Sequence, residues 1–165
     1  MKMALDSRII YGVAILVIAF PYVFPMSLPL AISEPTRDSY DTMELAPDGA
    51  NVLLTVEAGT TSLAEMEGGI TAMAHYMGRR HFKIVIVSSV TDQGPLITQE
   101  FIEPILNKYG YVSGVDYVHC GYIPGKGTAY QAIAEDLRSV ISKDFNGKPI
   151  DSLPMMENII CAEDF

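Results

Sequence analysis

The segment KIVIVSSV, Lys83–Val90, decides the fold class of this chain. It is nearly apolar along its whole length and rich in β-branched residues. Strands of that composition belong to parallel sheets that helices cover on both faces. We therefore predict that Lys83–Val90 is a buried strand of an α/β domain.

Helix and strand patterns alternate on both sides of this strand. Short apolar runs predict strands at Asn51–Val56 and Asp116–Cys120. Apolar residues at helical spacing predict helices at Thr61–Arg80, Gly94–Tyr109 and Thr128–Lys143. The order β-α-β-α-β-α predicts parallel strands joined by right-handed crossovers. The predicted fold class is α/β, a small parallel sheet with helices on both faces, as in a Rossmann-like or flavodoxin-like half.

Local signals refine the helices and the end of the domain. Ser62 with Glu65, and Thr128 with Gln131, have the spacing of capping boxes. Pro104 predicts a kink or break in the second helix. Ile159–Cys161 is a candidate start of a fourth strand. A sheet of three or four strands has open edges, so we expect a second copy or another chain to complete it.

The N-terminal segment differs in composition from the rest. Ile9–Ser33 carries no charged residue, and a bilayer core needs roughly 20 apolar residues as helix. We predict a spanning helix at Leu5–Phe24 and an extended exit at Pro25–Ser33. A cleaved signal peptide ending near Ala31–Ser33 and a buried helix are the alternatives. The predicted division is 1–33 anchor, 34–50 linker and 51–165 α/β domain.

The charged residues limit the possible partners of the chain and its orientation in a membrane. The chain has a net charge of −9, whereas nucleic-acid binding requires a basic face. Lys2 and Arg8 precede the apolar segment and Arg37 follows it, which favours a single-pass protein of the cell membrane with a cytoplasmic N-terminus and an extracytoplasmic domain. The expected partners are the lipid bilayer and either membrane-protein subunits or copies of this chain, with no nucleic acid.

Candidate site residues follow the predicted strands, because ligands of open α/β sheets bind at the carboxyl ends of the strands. The candidates are Glu57, Gly59, Asp92, Gly121, Tyr122, Gly125, Lys126 and Thr128. Their chemistry suits an anion, a nucleotide or a divalent cation. A carboxylate pair of Glu57 and Asp92 is one possibility, and two solvated loop carboxylates are the other.

The glycine loop before the third helix does not match a known phosphate motif. A Walker loop requires four residues between its glycines, but Gly121 and Gly125 enclose three. The loop is then either an anion site at a helix N-terminus or a tight connector. His119 and Cys120 are neighbours on a strand, so they point to opposite faces and do not act together. The sequence predicts no catalytic residue, no metal site and no cofactor.

Several segments resemble a family of uncharacterised membrane-anchored α/β proteins with an N-terminal transmembrane helix. They are FPMSLPLAIS (Phe24–Ser33), NVLLTVEAG (Asn51–Gly59), YGYVSGVDYVHCGYIPG (Tyr109–Gly125) and GKPIDSLPMM (Gly147–Met156). The resemblance implies an acidic residue after the first strand, which Glu57 matches, and a GYxPG turn at Gly121–Gly125. It also implies further α/β structure and a second membrane helix beyond Phe165, so the chain is expected to be a short form, a fragment or half of a split protein.

Two functions are consistent with these patterns. The first is a non-catalytic membrane-anchored module that acts as a subunit or scaffold of a membrane complex. The second is a ligand-binding or hydrolytic domain that uses the strand-end loops. The absence of a recognisable catalytic motif favours the first.

Overall fold

The computed structural model describes residues 7–24 and 31–165. The chain divides into two compact units, Met1–Glu44 and Leu45–Phe165. The division lies inside the segment 34–50 that was predicted as a linker, and part of that segment is helical.

The N-terminal unit contains two helices. Helix α1 spans Ser7–Val23 and every one of its side chains is exposed. Helix α2 spans Glu34–Glu44. No helix within residues 7–24 and 31–165 has both the length and the apolar character needed to cross a membrane. Leu5, where the spanning helix was predicted to begin, and residues 25–30 of the predicted exit lie outside the described residues.

The second unit is built on a three-stranded parallel sheet, which confirms the predicted α/β class. The strands are β1 (Asn51–Thr55), β2 (Lys83–Ser88) and β3 (Tyr117–Tyr122), in the spatial order β1-β2-β3. In the register of the sheet, Asn51 lies opposite Lys83 and Ile84 lies opposite Tyr117.

Helices cover both faces of the sheet. One layer contains α3 (Leu63–Arg79), α4 (Gly94–Ile97), a π-helical turn (Thr98–Ile102) and α5 (Glu103–Lys108). The other contains α6 (Gly127–Glu135), α7 (Leu137–Val140) and the C-terminal segment. That segment carries short 3₁₀ helices at Ile150–Ser152, Pro154–Asn158 and Ala162–Asp164.

The two cores meet at β2, whose side chains alternate between them. Ile84 and Ile86 pack with α3, α4 and α5, whereas Val85 and Val87 pack with α6, α7 and the C-terminal segment. All four are at most 1% exposed. Full burial of an aliphatic side chain stabilises a fold by roughly 1.5–3 kcal/mol, so all four side chains contribute to the stability of the domain.

The helix predicted at Gly94–Tyr109 is divided in the structure. Thr98–Ile102 forms a π-helical turn between α4 and α5, and Pro104 is the second residue of α5. Proline lacks the amide hydrogen that would continue the α-helical ladder, and π-turns accommodate such breaks. The interruption therefore falls where the sequence predicted one.

Two predictions of secondary structure were wrong. The helix predicted to reach Lys143 ends at Glu135, because Asp136 is extended and its carboxylate accepts the amide of Arg138 to begin α7. Ile159–Cys161 is not a strand: Ile159 is buried beneath the helices, and the carbonyl of Ile160 accepts the amide of Leu137.

Neither predicted capping box forms. The hydroxyls of Ser62 and Thr128 donate instead to the preceding carbonyls of Gly59 and Gly125. Both side chains therefore stabilise the loops before their helices, and the first amides of α3 and α6 receive no side-chain cap.

Candidate functional site

Glu57 is the central residue at the carboxyl edge of the sheet. It follows β1, and its carboxylate accepts the amides of Ser89 and Val90 at 2.8 Å and of Thr91 at 3.2 Å. These three amides belong to the loop after β2, which would otherwise leave them without partners. Glu57 thus fixes the conformation of the neighbouring loop.

Tyr130 adds a link from the opposite layer. Its hydroxyl donates to Oε1 of Glu57, the same oxygen that accepts the amide of Ser89. The other oxygen accepts from Val90 and Thr91. Each carboxylate oxygen of Glu57 therefore has two protein donors, and the residue joins β1, the loop after β2 and α6.

Gly59 lies where the first two loops approach each other. The amide of Thr60 donates to Oε1 of Gln93 at 2.6 Å. A Cβ on Gly59 would come within 3.2 Å of the same amide oxygen. The glycine thus permits the close approach of the two loops, which is a packing role.

The third loop adopts the strained backbone that its glycines suggest. Gly121 has φ +77° and Gly125 has φ +135°, both in the left-handed region that favours glycine. Lys126 also has a positive φ of 52°, and its carbonyl accepts the hydroxyl of Ser89 at 3.3 Å. Thr128 is exposed and bonded to the carbonyl of Gly125. These contacts tie the third loop to the second.

The predicted site residues come together through backbone contacts rather than as a set of converging side chains. Glu57 contacts the loop after β2, whereas the side chains of Asp92, Tyr122 and Lys126 are exposed. Within the described ranges, no group of three His, Cys, Asp or Glu side chains is placed to hold a metal ion.

The two edges of the sheet differ sharply. On β3, the carbonyls of Tyr117 and His119 point outward and accept the amides of Gly114 and Phe145. The chain therefore covers its own β3 edge. Phe145 also stacks on the His119 ring, with 4.4 Å between centroids.

The β1 edge pairs with no other strand, and its one contact with the C-terminal segment is a side-chain bond, from Nδ2 of Asn51 to the carbonyl of Asp164 at 2.8 Å. Val56 donates to Val87 and the carbonyl of Ala50 accepts from Lys83, so the even-numbered residues of this region face β2. In a parallel strand the amide and carbonyl of one residue point to the same side, and the side alternates along the strand. Asn51, Leu53 and Thr55 therefore face outward. Within residues 7–24 and 31–165, no other segment forms a backbone hydrogen bond with the outward amides and carbonyls of these three residues.

An apolar groove lies beside this edge, between β1 and α3. We call it the α3 groove; it has a volume of about 370 Å³. Its lining includes Leu54 and Val56 of β1 and Met66, Gly69, Ile70 and Met73 of α3. The rest of the lining is Thr55, Glu57, Ala58, Met77 and Ile102, so the groove reaches the carboxyl end of β1.

Sequence reasoning missed both Tyr130 and the α3 groove. The apolar stripe of α3 was recognised, but a stripe does not reveal how much of it a three-stranded sheet covers. The signal available was Met66 and Gly69, which prolong the stripe toward the start of the helix. Tyr130 gave no signal, since it meets Glu57 from 73 residues away.

A second cluster of titratable groups includes two neighbouring residues of β3, His119 and Cys120. Nδ1 of the buried His119 is 2.9 Å from a carboxylate oxygen of Glu103. Burial lowers the pKa of His119, and the hydrogen bond and charge of Glu103, with the charge of Asp144, partly offset that effect. Cys120 packs in the opposite core, where burial and then the charge of Asp144 raise its pKa to about 12.

Comparison of the chain with protein-family models, with curated proteins and with solved structures finds no match. The function must therefore be inferred from the arrangement of the described residues.

The first prediction concerns the hydrogen bonds that the carboxylate of Glu57 accepts from the loop after β2. Glu57→Gln replaces an acceptor oxygen by an NH₂ group that faces backbone donors, so the free energy of unfolding should fall by about 2–3 kcal/mol. Denaturant unfolding measures this. Asp92→Asn, at an exposed carboxylate of the next loop, is the matched control and should change stability by less than about 0.5 kcal/mol. Equal effects of the two substitutions would contradict the structural role of Glu57.

The second prediction concerns pH. Since burial depresses the His119 pKa in the folded state, the unfolded chain binds the proton more readily, and stability is lost as the pH falls below the usual histidine value of 6.5. His119→Gln should remove this loss, at about 1.4 kcal/mol for each pKa unit of depression. The stability advantage of the parent over His119→Gln should therefore shrink between about pH 7.5 and about pH 5.5.

Urea unfolding at the two pH values provides the measurement. His81→Asn is the control, because His81 is exposed and asparagine tolerates its positive φ of 53°. An advantage that stays constant across this range would show that His119 does not titrate differently in the folded state.

Proposed function

We propose that this chain is a non-catalytic α/β module that joins a larger assembly at a membrane through the open edge of β1. The observation that carries the proposal is the contrast between the two sheet edges. The chain caps the outward carbonyls of β3 with its own amides and leaves those of β1 open.

The composition of β1 supports this role. Exposed edge strands of monomeric proteins are usually protected by lysine, proline or a bulge. The sequence of β1, NVLLT, contains no charged residue and no proline, and its pairing with β2 is regular. The adjoining α3 groove offers apolar side chains where those of an added strand would pack. Three strands are also fewer than the four to six of a typical sheet.

The carboxyl edge of the sheet supports a non-catalytic role. A ligand-binding or hydrolytic site there would depend on Glu57 as its best-placed carboxylate. Both oxygens of Glu57 are already engaged by protein donors. The alternative of a strand-end ligand site is therefore the weaker of the two.

The membrane part of the proposal rests on α1. Its side chains are uncharged from Ile9 onward and all are exposed. Apolar surface on this scale requires an apolar environment, which lipid or another apolar helix supplies. We include in the proposal a cytoplasmic N-terminus, an extracytoplasmic α/β domain and membership of the membrane-anchored α/β family that the sequence resembles.

The third prediction tests the open edge. Thr55→Pro removes an outward amide hydrogen and leaves the β1–β2 ladder intact, because the amide of Thr55 faces away from β2. The complex extracted from native membranes in mild detergent should fall to the mass of a single chain, as read by native mass spectrometry. Thr55→Val, which keeps the amide, should retain the parental mass. An unchanged mass for a folded Thr55→Pro chain would refute assembly through β1.

The fourth prediction tests the anchor. Leu16 lies in the middle of α1 and is 70% exposed, so Leu16→Lys places a charge at the depth of the hydrocarbon core of the bilayer. That substitution costs about 2.5–3.5 kcal/mol at the centre of a spanning helix. The fraction of full-length chain retained in carbonate-washed membranes should fall sharply. Ser39→Lys on α2 is the control and should leave retention unchanged; equal retention of both variants would exclude α1 as the anchor.

A further inference from the structure

Helix α3 runs opposite to β1 and carries opposite charges at its two ends. It begins after β1, with Glu65 in its first turn and Arg79 in its last. Its C-terminal end lies near the start of β1, since Arg80 binds Asp48 and the carbonyl of Ala46. The acidic end of α3 is therefore at the carboxyl end of β1, and the basic end is at its amino end.

A single stripe of α3 joins these charges. Glu65, Gly69, Ala72, Tyr76 and Arg79 recur at helical spacing, and Gly69 lines the α3 groove. Tyr76 is half-buried and packs edge-on against Phe82. Glu65, Gly69, Ala72 and Arg79 are all exposed. No atom lies within 4 Å of a Cβ placed on Gly69, so there is space here for another chain. Ala72 is midway between the two charges along the stripe.

We infer that the partner at the β1 edge is a second copy of this chain, paired with it antiparallel about a twofold axis that passes beside Leu53 and Ala72. The inference rests on the proposed function, since it names the occupant of the same edge. In this arrangement Leu53 faces its own equivalent, and Asn51 faces the partner's Thr55. The outward groups of each facing pair then bond to each other, as in an antiparallel ladder.

The same axis brings unlike charges together. It places Glu65 of one α3 beside the partner's Arg79, and the equivalent pair forms on the other side of the axis. A parallel arrangement about a twofold axis would instead place the two α3 helices on opposite faces of the joined sheet, where neither pair could form. Charge complementarity thus selects a second copy in the antiparallel orientation.

The apolar residues also match under this symmetry. The even-numbered side chains of β1 face α3: Val52 and Leu54 pack in the core on that side of the sheet. Antiparallel pairing sets Leu54 beside the partner's Val52, at the edge of the α3 groove. Met66 and Met73 are flexible enough to pack over the added strand. The result is a continuous six-stranded sheet with two α3 helices side by side on one face.

The net charge of −9 on each copy opposes association, because the two copies repel each other. Exposed charges separated by more than about 8 Å are largely screened at physiological ionic strength. The close contacts at the axis therefore decide the association.

Charge reversal tests the arrangement in the full-length chain in mild detergent. Glu65→Lys should weaken self-association about tenfold, because it turns both symmetric pairs from attractive to repulsive. Arg79→Glu should weaken it to the same degree. A mixture of the two variants should form a mixed dimer with parental affinity, since both of its pairs are again of opposite charge. Glu135→Lys, at the exposed end of α6, is the control and should leave the dimer unchanged.

Analytical ultracentrifugation over a dilution series, with one variant carrying a mass tag, measures the association of the parent, the three variants and the mixture. A parental dimer that is insensitive to both reversals, or a mixture that does not recover, overturns the inference. A parental monomer whose complex in native membranes is still lost on Thr55→Pro also overturns it, and leaves assembly through β1 intact with a different partner. If a folded Thr55→Pro chain changes neither association, both proposals fail.

Discussion

The fold depends on the need to cover both faces of β2. Four consecutive side chains, Ile84 to Val87, alternate between two cores and are almost completely buried. A strand of this kind is stable only if a helical layer lies on each side and a parallel neighbour lies at each edge. The α3–α5 layer supplies one face, and α6, α7 and the C-terminal segment supply the other. The irregular C-terminal segment serves this requirement, since buried Ile150, Met156 and Ile159 complete the second core.

Burial of this strand also determines what happens at the carboxyl edge. Because β1 and β2 are parallel, both end at the same edge, and the loop after β2 exposes three amides in succession. Glu57 satisfies them with one carboxylate, and Tyr130 binds that carboxylate from the other layer. A residue whose position suggests ligand binding is therefore used to hold the loops. The outward backbone groups of β1, in contrast, receive no backbone hydrogen bond from another segment of the described chain.

The sequence predicted the parts of the fold that follow from periodicity. The apolar run of β2 and the alternating helices were sufficient for a three-stranded parallel sheet. The presence of helices on both faces followed from the nearly apolar composition of β2. Elements set by single side chains were not predictable: Asp136 ends α6, and Ile150–Ser152 and Pro154–Asn158 form 3₁₀ turns without a periodic pattern. The sequence predicted that the strand-end loops lie close together. It did not predict the donors to Glu57, because they are distant in sequence and no local pattern identifies them. Whether Asp92, Tyr122 and Lys126 bind a ligand stays a prediction.

The parallel pairing of β1 with β2 also has a consequence for synthesis on the ribosome. The register joins Asn51 to Lys83, and Glu57 meets its amide donors only in the loop that follows β2. As the chain emerges, β1 has no partner on either side until about thirty more residues have been made, and the Tyr130 contact comes later still. A nascent apolar strand with two bare edges is open to misassociation during this interval. Early protection by a chaperone, or by a neighbouring copy made on the same message, would therefore act on β1 before any other part of the domain.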